Sequence, residues 1–311
     1  RGFAVLTACY CEISPDPEAD WHEPNLLHRQ TPFAYTGVFS LWGKRDKSRE
    51  DNPTSLGAWA WALSRGMDLV EGVPELDARR AIVMGHARLG KVAFLAAARD
   101  ERFGVAILNQ CGGGAVRLAK RDYGENVATE VHLFTHWYCK AYKKYAGKEE
   151  SMPFDQHMLL ACVAPRALLV EGFDEGWFDT KGEFLSVQAA SPVWELLGKE
   201  GLPKVEWPAD YETTAIGSTL GYVRRSEEHG LSAYDWTWMM DFADRVFESQ
   251  KGPKDYSLRD LSNRCSLTDT KLLASFDHDD GGFSLVGTEG TLSNLTKVEG
   301  WSNEKGVSTS S

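Results

Sequence analysis

The 311-residue sequence has no apolar run approaching the roughly 18 residues that a helix needs to cross a bilayer, which argues against a membrane span. It shows no charged-then-apolar leader either. The chain opens at Arg1, without a methionine, and runs straight into what reads as a core strand, so further sequence is expected upstream. Basic residues are in deficit, 34 Lys and Arg against 45 Asp and Glu, and the net charge of −11 argues against nucleic acid as a partner. The six cysteines, Cys9, Cys11, Cys111, Cys139, Cys162 and Cys265, include no C-x-x-C pair, so neither a zinc knot nor a thioredoxin motif is expected. Cys111 and Cys139 flank candidate site segments and form a pair that an oxidising compartment would allow to bridge. His86, His132, His136 and His157 lack H-E-x-x-H spacing, and no metal site is expected from them. G-x-G-x-x-G is absent, which excludes the usual dinucleotide turn.

What is present is core-forming material, 42% hydrophobic residues with 11% aromatics, enough for one large domain and an appendage. The chain is organised around Ala81-Ile82-Val83-Met84-Gly85-His86-Ala87-Arg88-Leu89-Gly90-Lys91-Val92-Ala93-Phe94. Four apolar residues predict a short buried strand, Gly85 and Gly90 bracket a turn too sharp for large side chains, and Lys91 to Arg99 favours helix. That is the pattern of a nucleophile elbow, in which a strained strand-to-helix turn lifts one attacking side chain beside helix amides that stabilise an oxyanion. Here the nucleophile position holds Ala87.

In chain order, Gly2 to Tyr10 is a nearly continuous apolar run and predicts a strand of a parallel sheet. Glu12 to Arg29 reads as loop, and Ser55 to Val70 as a helix with Leu56, Trp59, Ala60, Leu63, Met67 and Val70 on one face. Strands follow at Gly104 to Asn109 and Ala167 to Val170, with helices at Asp155 to Ala164 and Gly182 to Leu197, a strand near Val205 to Trp207, and a closing helix, Tyr234 to Glu248. Alternating strands and helices predict a parallel α/β sheet. The aromatic stretch from Arg117 to Phe154 suits a helical cap over a pocket. The strand at Ala167 ends in Glu171, Asp174, Glu175, Trp177 and Asp179, where parallel strands place ligands. Residues 1–250 are assigned to the α/β domain and 251–258 to a linker. The Ser-, Thr- and Gly-rich segment 259–311 reads as the start of a carbohydrate-binding β-sandwich, too short to be whole. Asp277 to Gly281 within it is an acidic turn that could take calcium but reads better as solvated.

Gly85-His86-Ala87-Arg88-Leu89-Gly90-Lys91 resembles the elbow of the glucuronoyl esterases, carbohydrate esterase family 15, in which the third position is serine. Asp100 to Phe103, His136 to Cys139, Asp155 to His157, Ala164 to Arg166, Gly182 to Leu185 and Ala233 to Trp236 resemble the bacterial branch in order and spacing. The resemblance implies an α/β-hydrolase fold, with the first strands upstream of Arg1. It also implies serine-type hydrolysis of esters joining 4-O-methyl-glucuronic acid on xylan to lignin, no cofactor, and a secreted or periplasmic location. It assigns His229 as general base, Arg88 as oxyanion donor, Lys91 to sugar hydroxyls and Trp177 to the sugar ring; Trp137 is a second candidate because sugar rings stack on exposed aromatics, with burial in the core as the alternative. Some relatives carry the triad acid after the strand that here ends at Asn109, but Gln110 and Gly113 occupy that loop and carry no charge. Glu175, or Asp174, is therefore expected to orient His229. Ala87 leaves three readings open: an esterase altered at its nucleophile, a glucuronoxylan-binding protein without turnover, or an esterase of another plant-polysaccharide ester.

Overall fold

Val105–Asn109 and Ala167–Phe173 are buried along their whole length, and they form the centre of the sheet in the computed structural model of the chain, which describes residues 2–16, 36–173, 176–207, 214–225 and 229–249. Residues Tyr10–Gln250 make one compact unit. Its elements are α1 (Tyr10–Ile13), α2 (Ser55–Glu71), β1 (Ile82–His86), α3 (Ala87–Arg99), β2 (Val105–Asn109), α4 (Val127–Leu133), α5 (Lys140–Lys143), α6 (Gln156–Ala161), β3 (Ala167–Phe173), α7 (Thr180–Leu196), β4 (Thr214–Ile216), β5 (Leu220–Arg225) and α8 (Ala233–Ser249). The strand order is β1-β2-β3-β5-β4; the first four run parallel, and β4 is antiparallel to β5.

Alternation along the strands sorts the core into two layers. Ala106, Leu108, Leu168 and Val170 face Trp59 of α2, Val92, Ala93 and Phe94 of α3, and Val187 and Trp194 of α7. Val105, Ile107, Ala167 and Leu169 face Met239, Phe242, Val246 and Phe247 of α8. Helices thus cover both sides of the sheet, which is why its middle strands read as unbroken apolar runs rather than alternating ones.

Four expectations change. Residues 2–9 carry no regular structure: an apolar run becomes a strand only where a neighbour completes its ladder. No strand forms at Val205 to Trp207: Pro203 and Pro208 flank the run and lack N–H donors, and Trp207 packs on Phe184 and Tyr222 instead. The strands at that edge are β4 and β5, so the sheet is mixed. Between Arg117 and Phe154 only the short α4 and α5 are α-helical; one 3-10 turn, Glu149–Ser151, and irregular turns supply the rest. Cys111 and Cys139 are both free thiols. The linker and the C-terminal segment lie outside the described residues.

The elbow is built on close backbone approach. A Cβ at Gly85 would lie 2.1 Å from the Leu89 carbonyl oxygen, and one at Gly90 would lie 2.1 Å from Cys111 Sγ. Helix α3 begins at Ala87 itself, four residues before the position the sequence suggested. In register across the carboxyl ends of the strands stand His86, Asn109 and Glu171. His86 Nδ1 lies 2.5 Å from Asn109 Oδ1, and Asn109 Nδ2 donates to Glu171 Oε2 at 2.7 Å. Burial raises the Glu171 carboxyl to about 8, and the Asn109 hydrogen bond offsets this only in part.

Two outcomes follow from these contacts. Gly85→Ala forces a methyl group onto backbone that has no rotamer to move, and it is expected to lower stability by about 3 kcal/mol, the upper end for overpacking, in chemical denaturation; a change within experimental error would show that the turn can open. Between the ordinary glutamate value of 4.5 and about 8, folded Glu171 keeps a proton that the unfolded chain has released, so its contribution to stability falls as pH rises through that window. Glu171→Gln mimics the protonated acid and is expected to flatten the decline when denaturant midpoints are compared across that window. An unchanged slope would mean that the carboxyl ionises at its ordinary value.

Candidate active site

The sharp passage from β1 into α3 forces Ala87 into the left-handed region, with φ 50°, a conformation that costs a non-glycine residue on the order of 1–3 kcal/mol. The methyl group at this position stands at the first turn of a 13-residue helix, where unpaired N–H groups gather. His86, the preceding residue, stacks on His229 with ring centroids 4.6 Å apart and planes at 28°. Phe178 and Phe173 pack against the same imidazole at 5.0 and 5.6 Å. His229 Nδ1 lies 2.6 Å from Gln110 Oε1. The elbow, the end of β2, the end of β3 and the loop before α8 therefore converge on one histidine.

The other expected residues separate into groups. Arg88 follows Ala87 in α3; its Nη1 donates to Asp16 Oδ2 at 2.8 Å, and the guanidinium lies 5.6 Å from the centre of the Trp137 ring. Asp16 also takes His136 Nε2 at 2.5 Å and Trp137 Nε1 at 3.0 Å. Burial pulls the Asp16 carboxyl upward, but the His136 hydrogen bond and the Arg88 charge outweigh it and hold it below the ordinary aspartate value. Trp137 is only 3% exposed and stacks on Phe134 at 3.8 Å, so it is core and presents no face to a sugar ring. Trp177 is 38% exposed. Its carbonyl accepts the Glu125 N–H at 2.8 Å, which docks the 176–178 turn beside Gly124. Asp174 and Glu175 lie outside the described residues, between Phe173 and Gly176.

Lys91 is buried. Its ammonium donates to the carbonyls of Cys111, at 2.8 Å, and Gly113, and it pairs with Glu125 Oε2 at 3.3 Å. Three acceptors match the three protons of the ammonium, so the first task of Lys91 is to hold the Cys111–Gly113 turn, and contact with sugar hydroxyls requires it to release one of them. Glu125 and Asp16 are site residues that sequence reasoning missed. Neither sits in a recognisable motif, and each lies far along the chain from its cation, 34 residues for Glu125 and Lys91 and 72 for Asp16 and Arg88, so no sequence signal could have found them. Glu183 closes the same turn by accepting the Gly112 N–H at 3.0 Å, and burial raises its carboxyl to about 8. Asp179 is not a ligand-facing acid: it caps α7, accepting from Gly182 N, and pairs with Arg121 at 2.9 Å.

Among the described residues no group of histidines, cysteines and carboxylates could hold a metal ion, and no helix is long and apolar enough to cross a membrane. A cleft of about 490 Å³ lined by Trp42, Trp61 and Arg99 lies at the far end of α3 from Ala87 and contains none of the expected residues. Lys91→Ala leaves the buried Glu125 carboxylate without its cation, its Oε2 still accepting the Gly113 N–H at 3.1 Å, and it is expected to cost about 3–5 kcal/mol of stability in a denaturant titration; a loss below about 1 kcal/mol would show that water reaches the pair.

The family model described as "Glucuronyl esterase, fungi" matches residues 37–198, just over half of the chain. The carbohydrate esterase MZ0003 from an unknown prokaryotic organism is 35% identical over 247 residues, which is 78% of this chain and 54% of that protein. The 4-O-methyl-glucuronoyl methylesterase 1 of Phanerochaete chrysosporium is 33% identical over 155 residues, 47% of this chain and 33% of that protein. Among solved structures, a glucuronoyl esterase from Solibacter usitatus superposes with a TM-score of 0.67 at 38% identity, covering 76% of this chain and 58% of that one. The chain thus spans about half the length of the bacterial relatives it matches, and a third of the fungal one. With the family-model match over more than half of its length and a parallel core entered through a strand-turn-helix elbow, the chain belongs to the glucuronoyl esterase family and has its α/β-hydrolase fold.

Proposed function

We propose that this site is built for acyl transfer from 4-O-methyl-glucuronoyl esters that join xylan to lignin, and that Ala87 leaves it able to bind such an ester without turning it over. The observation that carries the reading is the left-handed backbone of Ala87 at the head of α3. The turn holds a non-glycine residue in a conformation whose use is to raise a side chain above the sheet edge. With serine at that position, Oγ would attack the ester carbonyl carbon and His229 Nε2 would take its proton. The tetrahedral oxyanion would be met by the first amides of α3 and by Arg88. Collapse expels the alcohol with the proton from His229; water then repeats the sequence and frees the uronic acid.

Glu175 or Asp174 is the proposed carboxylate behind the imidazole. Support comes from their neighbours in sequence, since Phe173 and Phe178 both pack on His229. Trp177, half-exposed beside Gly124, is the proposed stacking face for the sugar, and Lys91 is proposed to turn from its carbonyl partners toward the hydroxyls. The same chemistry could serve another plant-polysaccharide ester, but a minimal acetyl ester has no use for an indole or a buried ammonium. Segment 259–311 is proposed as a separate carbohydrate-binding module, and a secreted or periplasmic location would bring the chain to its polysaccharide. Binding without turnover is favoured for the chain as it stands because methyl replaces the attacking oxygen.

In a chain extended to the full length of its relatives, Ala87→Ser is expected to raise hydrolysis of benzyl glucuronate by several orders of magnitude. Loss of the nucleophile alone removes roughly 10⁶ in kcat. The gain is expected to be far smaller on a plain acetyl ester. A folded serine form as silent as the alanine form on both esters would reject the catalytic architecture.

A further inference from the structure

Gln110 follows the last residue of β2 and sits in the left-handed region, φ 52°. Its N–H donates to the Glu171 carbonyl at 2.7 Å, so the backbone stays pinned to β3 one residue beyond the ladder. The side chain, fully buried, is thereby aimed at the loop ahead of α8. There Oε1 lies 2.6 Å from His229 Nδ1 and 3.1 Å from the Gly230 nitrogen, and Nε2 lies 2.9 Å from the Gly230 carbonyl oxygen. Arg225 Nη1 donates to that same carbonyl and pairs with Asp235 at 3.0 Å.

These contacts fix which end of the amide faces the histidine. A backbone N–H can only donate and a carbonyl can only accept. Turning the amide over would set its NH₂ against the Gly230 N–H and its oxygen against the Gly230 carbonyl, two repulsive contacts in place of two hydrogen bonds. The oxygen must therefore be the atom that meets Nδ1, and an amide oxygen accepts only from a protonated nitrogen. The geometry points to Gln110 as a positioning residue that holds His229 as the Nδ1–H tautomer and leaves the Nε2 lone pair for proton abstraction. The catalytic use of that lone pair rests on the proposed esterase chemistry; the tautomer does not. Because the amide is neutral, it orients the imidazole without offering a counter-charge to the imidazolium, and that task is left to a carboxylate. The sequence position that carries a triad acid in some relatives thus does half of the acid's work here.

The test uses ¹⁵N-histidine NMR on the chain as it stands, at alkaline pH where imidazole is neutral. His229 is expected to show a protonated Nδ1 and a pyridine-like Nε2. Gln110→Leu, which offers no acceptor, is expected to shift the ring toward the Nε2–H form. Gln110→Glu keeps an oxygen at the same place and is expected to retain Nδ1–H. A native ring already in the Nε2–H form, or one unchanged by Gln110→Leu, overturns the assignment. If the leucine variant does not fold, the native and glutamate spectra decide the question in the same way. In the lengthened Ala87→Ser protein, Gln110→Leu is expected to lower kcat by about 10² or more, the usual size of a general-base contribution, with KM within about twofold. Loss in KM alone would make Gln110 a packing residue. If the serine form has no activity, the esterase reading fails while the tautomer measurement still stands or falls on its own.

Discussion

Everything at the site depends on how closely the chain passes itself between β1 and α3. Gly85 lets the Leu89 carbonyl approach to where a side chain would be, Gly90 does the same for Cys111, and Ala87 is held between them in a left-handed conformation. No local preference of alanine produces that backbone. It persists because β1 and β2 fix one side of the turn and the packing of α3 against α2 and the sheet fixes the other. A strained residue over-determined by its surroundings is the usual mark of a functional position, and here strain and sequence motif coincide.

Around that turn the protein accepts a large polar load below the surface. The Cys111–Gly114 segment has glycines because buried carboxyls occupy the space: a Cβ at Gly113 would lie 2.0 Å from Glu130 Oε1. Glu130, Glu171 and Glu183 are each raised to about 8, chiefly by burial. Lys91 and Glu125 form a buried pair and Arg88 and Asp16 a second, partly buried one. Replacing such groups with hydrocarbon is often neutral or stabilising, so their presence is better explained by the position they give to a turn, a guanidinium and an imidazole than by stability.

Much of this was legible in the sequence, for identifiable reasons. Strands covered on both faces are written as apolar runs, so β1, β2 and β3 could be read directly, as could the one-sided helix α2. β5 could not: Gly217, Gly221, Arg224 and Arg225 look like loop, yet Tyr222 and Val223 are buried in the ladder and Arg225 pairs with Asp235 of α8. The run from Gly2 to Tyr10 shows the converse error, since apolarity without a ladder partner does not make a strand. At the site, the strand-turn-helix of the elbow was legible because its motif lies in adjacent residues. Composition does not say which indole faces inward, so the burial of Trp137 against the exposure of Trp177 is visible only in the fold. Gln110 was set aside for having no charge, whereas its place in the fold is decided by donor and acceptor geometry, which one-dimensional sequence does not carry.

The most direct measurement is a crystal structure of the alanine-bearing chain, lengthened to match its relatives, soaked with methyl glucuronate. Without a nucleophile the ester survives. The expected density places its carbonyl carbon over the Ala87 methyl group, its carbonyl oxygen toward the first turn of α3 and Arg88, and its alcohol side toward His229, with the ring against Trp177. An ester bound away from Ala87, or an empty elbow at saturating ester, would contradict a site shaped for acyl transfer.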